Sequence, residues 1–416
     1  MIQADTLKPG WSWVKFGDVV RQVKDKVDPQ TSGLERYVAG EHMNTDDLRI
    51  RRWGEINEDY LGPAFNMRFK PGQVLYGSRR TYLRKVAVPD FEGICANTTF
   101  VLESKDPNIL LPELLPFIMQ TEAFHEHSIK QSKGSVNPYI NFSDLAWWEF
   151  ALPPLEEQHI FVKQLNALEN FSRFIENALK SAHKLWVPLI RHFAGVENSA
   201  AESLIIRGGV KEIKTGFSIA QLEDLCVKDR QGVQVGPFGG SVSSKHFAKY
   251  GVPVLKINNI TETGKLDLTD LVYLNDVQGQ ILSEKYSVQQ GDIVITAQAT
   301  VGRSAIISGE AAGAIISQHL IRVAINVAKC LPEWLHACFQ TPLLLRQVES
   351  FVQGGTRAGL NTEHVRNLLV PVPPIDKQLE FSCKIRDINN TIKVLEERLL
   401  HTRNLKKRYL KKLFET

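Results

Sequence analysis

Apolar residues recur at steps of three and four along two stretches of this chain. Leu168, Phe171, Ile175, Ala178, Ala182, Leu185 and Leu189 make the first series, and Ile385, Ile388, Ile392, Leu395, Leu399 and Thr402 the second. A period near 3.5 is the seam of a coiled coil. Each series follows a proline pair, Leu152-Pro153-Pro154-Leu155-Glu156-Glu157-Gln158 and Val372-Pro373-Pro374-Ile375-Asp376-Lys377-Gln378. Prolines end the preceding segment and pre-set φ for a first helical turn, and the acids after them favour the positive end of the helix dipole. The pattern predicts long helices over residues 153–195 and 373–416. An isolated helix of ~40 residues would reach ~60 Å, twice the ~30 Å of a small domain. The two are therefore expected to pair, most simply as an antiparallel coiled coil.

Elsewhere the pattern changes to short β-rich runs punctuated by glycine. Residues 74–77, 86–88 and 99–102 predict strands in the first half, and 293–297, 304–308 and 320–325 in the second. A helical stretch opened by proline follows each set, at 112–127 and 332–351. The two halves are copies: Pro154 and Pro374 stand 220 positions apart (374 − 154), as do Gln158 and Gln378 (378 − 158). Phe69-Lys70-Pro71-Gly72-Gln73-Val74-Leu75 parallels Val288-Gln289-Gln290-Gly291-Asp292-Ile293-Val294. Tyr37-Val38-Ala39-Gly40-Glu41-His42-Met43 parallels Val254-Leu255-Lys256-Ile257-Asn258-Asn259-Ile260. The expected fold is α+β: two pseudo-repeated globular domains, residues 1–152 and 215–372, separated by two long helices. Residues 196–214, small and polar, read as a linker.

Composition changes this picture little. Across 416 residues, 43% hydrophobic and 23% charged describe an ordinary globular protein, and ~150 residues per domain allows two or three domains. No apolar run approaches the ~20 residues of a membrane span, and Met1-Ile2-Gln3-Ala4-Asp5 does not look like a signal peptide. Five scattered cysteines without a CxxC motif fit reduced thiols, so a cytoplasmic location is expected. A net charge of +4 permits a polyanionic partner without arguing for one.

Catalytic signatures are missing or incomplete. There is no GxxxxGK[ST] loop and no HExxH or paired-cysteine cluster, so neither a nucleotide nor a metal site is predicted in this chain. His125 and His127 read as a solvated helix end. Asn137-Pro138-Tyr139 resembles part of the motif with which adenine methyltransferases hold a flipped base, but lacks its second proline. Pro89-Asp90 followed by Glu103-Ser104-Lys105 fits a loose metal-nuclease pattern that is common by chance.

What the variable stretches do carry is polar, basic and aromatic clustering on turns. The turn 77–85 places Arg79, Arg80, Arg84 and Lys85 around Tyr82, and its repeat counterpart offers Gln298, Thr300 and Arg303. Arginine pairs two-pronged with guanine and glutamine with adenine, while lysine and hydroxyls hold phosphates. Lys133, Ser135, Asn137 and Tyr139 follow on a second turn, echoed by Thr356 and Arg357. Lys245, Lys256, Asn258 and Asn259 complete the candidate DNA contacts. A charged hairpin is often merely solvated, but two such loops at matched repeat positions favour binding.

The chain resembles the specificity subunit of type I restriction-modification enzymes. The resemblance rests on Val235-Gly236-Pro237-Phe238-Gly239-Gly240-Ser241, on Tyr250 through Ile260, on Gly291 through Arg303, and on both proline-led helices. The first half departs from the pattern, with Gly40-Glu41-His42-Met43 in place of Lys-x-Asn-Asn. The resemblance implies a non-catalytic DNA reader whose two target recognition domains each read half of a split, asymmetric site. It implies that the helices set the spacer and dock two modification subunits carrying S-adenosylmethionine, with two ATP- and magnesium-dependent motor-nuclease subunits as further partners. A self-contained methyltransferase or nuclease is the alternative, and a protein scaffold built on the helices another.

Overall fold

Each long helix starts where the prolines place it, and a buried glutamine fixes the start to the domain behind it. The computed structural model describes residues 7–56, 61–193, 218–238, 240–353 and 359–414. The first long helix is Leu155–Lys184 and the second Ile375–Phe414. Gln158 is fully buried; its amide Nε2 donates to the carbonyls of Ile109 and Pro153, both at 2.8 Å, and its Oε1 accepts from Leu111 N at 2.9 Å. Gln378 is buried likewise and donates to Lys329 and Pro373 while accepting from Leu331 N at 2.8 Å. One repeated residue thus satisfies three otherwise stranded backbone groups in each copy.

The chain divides into two compact units, residues 1–177 with 395–416, and residues 178–394. The expected linker, 196–214, lies outside the described residues.

In the first unit, Ser12–Lys15 (β1) pairs antiparallel with Glu149–Leu152 (β10), the strand that runs into the proline pair. Val20–Val23 (β2), Thr99–Ser104 (β9), Val74–Gly77 (β6) and Val86–Ala87 (β7) form an antiparallel sheet in the order β2-β9-β6-β7. A second sheet, β4-β3-β8-β5, joins Arg36–Val38 (β3) in parallel to Gly93–Ala96 (β8), flanked by Gly54–Glu55 (β4) and Phe65–Phe69 (β5). Val38, Met43, Phe69, Leu75 and Val101 pack between the sheets; Phe16, Tyr76, Phe124 and Phe150 fill the other side of the first.

The second unit repeats the plan. Ser218–Gln221 (β11) pairs with Leu369–Val372 (β20). Val233–Val235 (β12), Leu320–Val323 (β19), Ile293–Thr296 (β16) and Ser304–Ile306 (β17) take the same order as their counterparts. Val252–Leu255 (β14) again runs parallel to its neighbour, Ile315–Ile316 (β18), with Val272–Leu274 (β15) and Phe247–Ala248 (β13) beyond it. The helix Asp276–Tyr286 has no counterpart among the described residues of the first unit.

Three expectations need correction. The stretch 112–127 is two helices, Leu115–Ile118 and Glu122–Lys130, because Thr121 donates its hydroxyl to Ile118 O and caps the second helix at Phe124 N. The copy breaks at the same place: Pro332–Phe339 and Pro342–Gln353 flank Thr341, which donates to Cys338 O. The first long helix stops at Lys184 and resumes as Trp186–Phe193, because Pro188 has no N–H to offer Lys184 and its ring crowds that carbonyl. Its buried stripe runs Gln158, Phe161, Leu165, Ser172, Ile175, whereas Phe171 is 48% and Leu185 55% exposed. Along Ile375–Phe414 the stripe is the one the sequence predicts, with Ile385, Ile392 and Thr402 buried.

Within each unit the start of one long helix meets the end of the other. In the first unit, Phe161 and Trp11 hold the ring of Phe414 at 6.4 and 6.5 Å. Tyr409 bonds Gln164, Lys406 pairs with Glu169, and Arg403 pairs with Glu176 at 3.0 Å, so the two segments run antiparallel. Burial alone would raise the pKa of Glu176, but hydrogen bonds from Arg51 and Arg49 overturn this and hold it down at about 2. In the second unit, Phe193 lies 5.5 Å from Phe381, which itself stands edge-on to Trp334 at 5.0 Å.

Candidate nucleic-acid interface

The β6–β7 hairpin of the first unit carries the basic turn, and its shape follows from what anchors each end. Ser78 is buried with Oγ donating to Thr98 O at 2.6 Å. Arg80 and Arg84 both take left-handed backbone, at φ 51° and 52°, on either side of a 3-10 turn, Thr81–Leu83. Such conformations cost non-glycine residues energy and persist where surroundings enforce them. Here Arg80 N donates to Pro138 O at 2.6 Å, its Nε donates to Asn137 Oδ1 at 2.9 Å, and the hydroxyls of Thr81 and Ser132 meet at 2.7 Å.

The second predicted turn comes to the same place. Lys133 and Tyr139 exchange backbone hydrogen bonds of 2.7 and 2.9 Å around Gly134, whose φ of 90° requires glycine. Tyr139 also bridges Arg79. Arg79, Arg80, Tyr82, Lys133, Ser135, Asn137 and Tyr139 therefore lie together on one exposed surface. Lys133 shares its charge with Asp144 at 2.8 Å.

Arg84 does not belong to that surface. It forks onto Glu122 at 2.7 and 2.9 Å and reaches Asp46 at 3.0 Å, so its charge is spent inside the unit. Lys85, on the same turn, stays beside the surface, and one cation that sequence reasoning did not select, Arg52, joins it. The Lys85 ammonium is pushed below its ordinary pKa by burial and then by Arg80 and Arg52, which places three positive groups together. Arg52 is exposed and donates to Glu41 O at 2.9 Å. The run Arg51-Arg52-Trp53 was the signal that could have found it.

The β16–β17 turn of the second unit is built differently. Thr296 is fully buried; its Oγ1 donates to Thr300 O and accepts from Arg303 N at 3.0 Å. Ala299 takes φ 60° and Gly302 φ 88°. Leu360 N donates to Ala297 O at 2.9 Å, and a Cβ on Gly359 would stand 2.9 Å from that carbonyl. Gln298 is exposed and Thr300 half-buried, while Thr356 and Arg357 lie outside the described residues. Arg303 Nη2 donates to Glu262 Oε1 at 2.8 Å.

Asn258 and Lys245 are exposed, and the Lys256 ammonium sits 4.8 Å over the Phe247 ring. Asn259 is not a surface residue. It is 4% exposed, with Oδ1 accepting from Lys256 N and Nδ2 donating to Asp267 O, both at 2.9 Å. His42 does the same work in the first unit, accepting from Ala39 N on Nδ1 at 3.1 Å. The missing Lys-x-Asn-Asn pattern there is a change of side chain at a kept structural role.

The incomplete catalytic motifs are absorbed into structure. Glu103 bonds Arg21 and Gln73, and Lys105 donates to Gly17 O, so these groups do not converge on a metal. His125 is buried, not solvated, and burial pushes its pKa down to about 4. Among the described residues, no group of three or more His, Cys, Asp or Glu is placed to hold a metal, and no helix is long and apolar enough to cross a membrane.

A family model, the type I restriction modification DNA specificity domain, matches residues 10–182 and 234–401, well over half of the chain. The chain belongs to this family. The specificity chain is 29% identical to the EcoDI type I restriction enzyme specificity subunit of Escherichia coli over 41% of its own length. It is 24% identical to the MjaX specificity subunit of Methanocaldococcus jannaschii over 49% of its length. The aligned stretches span 38% and 47% of those relatives. The MjaVIII specificity subunit of M. jannaschii aligns over 92% of the specificity chain and 87% of its own length, at 20% identity. A solved type I restriction-modification S subunit from M. genitalium covers all of the chain with TM-score 0.58 and 11% identity. A chain from a structure of type I complex assembly gives 0.60 and 19% over 98% of both. These two likenesses establish the fold.

Proposed function

We propose that this chain selects the DNA sequence for a type I restriction-modification complex, each unit reading one half of a split asymmetric site. The observation that carries the reading is a pair of turns, 78–85 and 297–303, at the same place in a repeated framework with unrelated side chains. A shared frame with divergent tips is what reading two different half-sites requires. The first tip is cationic and aromatic, suited to phosphates and guanine; the second offers amide and hydroxyl groups suited to base edges.

The long helices set the unread spacer between the half-sites and dock the modification subunits. Phe171 and Phe174, 48% and 68% exposed one turn apart, are apolar surface that a partner would cover. S-adenosylmethionine belongs to those partners, and ATP and magnesium to motor-nuclease subunits; this chain supplies recognition and no catalytic group. The test is to co-express it with a modification subunit and map methylated adenines genome-wide. The expected result is one bipartite motif with a fixed gap, lost when this chain is omitted. Methylation without this chain, or at a single continuous motif, overturns the reading.

A further inference from the structure

In both units an acidic side chain from the segment after a 3-10 turn reaches the last arginine of the hairpin tip. Asp46, beyond Gly40–His42, meets Arg84 at 3.0 Å, and Glu262, beyond Ile257–Asn259, meets Arg303 at 2.8 Å. The two pairs differ in what remains free. Arg84 is also forked by Glu122, and Asp46 also holds Lys407 at 3.3 Å. The Arg84 side chain is only 20% exposed and faces two carboxylates. Glu262 is 83% exposed, and its contact uses one amino group of Arg303. Among the described residues the rest of that fork meets no other group, on a turn whose backbone is pinned by buried Thr296.

We infer that Glu262 makes Arg303 a reader of guanine and not an anchor for phosphate. An arginine–carboxylate pair has no net charge, so it gains less from a phosphate, and releases fewer counterions on meeting one, than a lone arginine does. A phosphate brought beside Glu262 is repelled. Guanine presents two neutral acceptors, O6 and N7, which repel nothing and match a fork whose orientation is already fixed. Glu262 is thus a positioning residue that sets specificity through Arg303. The inference rests on the DNA-reading function proposed above and names the base class that this turn takes.

The test uses the full chain in complex with its modification subunit, on a duplex carrying the mapped motif and on a scrambled one. Glu262→Gln keeps the shape and removes the charge; at 83% exposure it leaves the fold intact. The expected result is tighter binding to scrambled DNA, a slope of log affinity against log salt steeper by about 0.9, and weaker preference for one G·C pair. In an Arg303→Ala background the same change has no effect. Replacing that guanine by 7-deazaguanine, which lacks N7, weakens the parent about tenfold and leaves Arg303→Ala unchanged. If the motif is bipartite and the parent selective, yet Glu262→Gln alters neither slope nor preference, the inference fails and the function stands. An effect that persists without Arg303 shows a general charge effect and also overturns it. A complex with no preferred sequence overturns the function itself.

Discussion

Gln158 and Gln378 read in the sequence as punctuation at two helix starts; the structure makes them clamps. Each is buried and closes three hydrogen bonds to backbone of the domain behind it and of the proline pair. Leucine at either place has the volume but none of the partners. A buried polar group left unpaired costs about 1–3 kcal/mol, so Gln158→Leu is expected to lower stability by about 2–5 kcal/mol. Urea unfolding followed by tryptophan fluorescence measures it, and a change below about 0.5 kcal/mol contradicts the account. Single residues were legible in the sequence where the repeat preserved their identity. They were not where only the role was kept: His42 and Asn259 share a hydrogen bond and no chemistry beyond one acceptor atom. Arg84 was misread because a run of cations does not reveal which of them faces Asp46 and Glu122 from distant segments.

At the scale of elements, strands were recoverable because glycine and β-branched runs mark them locally; β6 matches its predicted residues, 74–77. The long helices were recoverable because their prolines and period are local too. The buried stripe of the first helix was not, since counting apolar residues skips its polar members, Gln158 and Ser172, and selects exposed Phe171. Pro188, the breaker, was in plain view. If the helices set the spacer, inserting one heptad into both lengthens each by about 10 Å. The preferred gap should then grow by about three base pairs at ~3.4 Å per pair. Methylation-site mapping of the lengthened protein reads this directly, and an unchanged gap refutes the helices as spacer.

At the scale of the whole molecule, the sequence suggested consecutive domains and rods, whereas the first unit is discontinuous, residues 1–177 with 395–416. Antiparallel pairing, expected from the helix period, brings these ends together, but the boundary at 177 and 395 follows only from contacts such as Phe414 with Phe161, more than two hundred residues apart. Removing residues 395–416 strips buried Leu410 and Leu413 from the core around Trp11, at about 1.5–3 kcal/mol each. It also unpairs Glu169 and Glu176 from Lys406 and Arg403. Hydrogen exchange should accelerate across residues 7–177 and stay unchanged across 218–353; uniform acceleration would contradict the division. The phenylalanine contacts carry one more consequence. Phe193 closes the second unit on Phe381 just before the chain passes through residues 194–217, and Phe414 closes the first on Phe161, its ring beside Trp11. Both ring clusters lie within single units, so a circular permutant opened within 194–217, with a short flexible linker from residue 414 to residue 7, is expected to fold. Its folding would make the order of the two halves along the gene a matter of where the chain is cut.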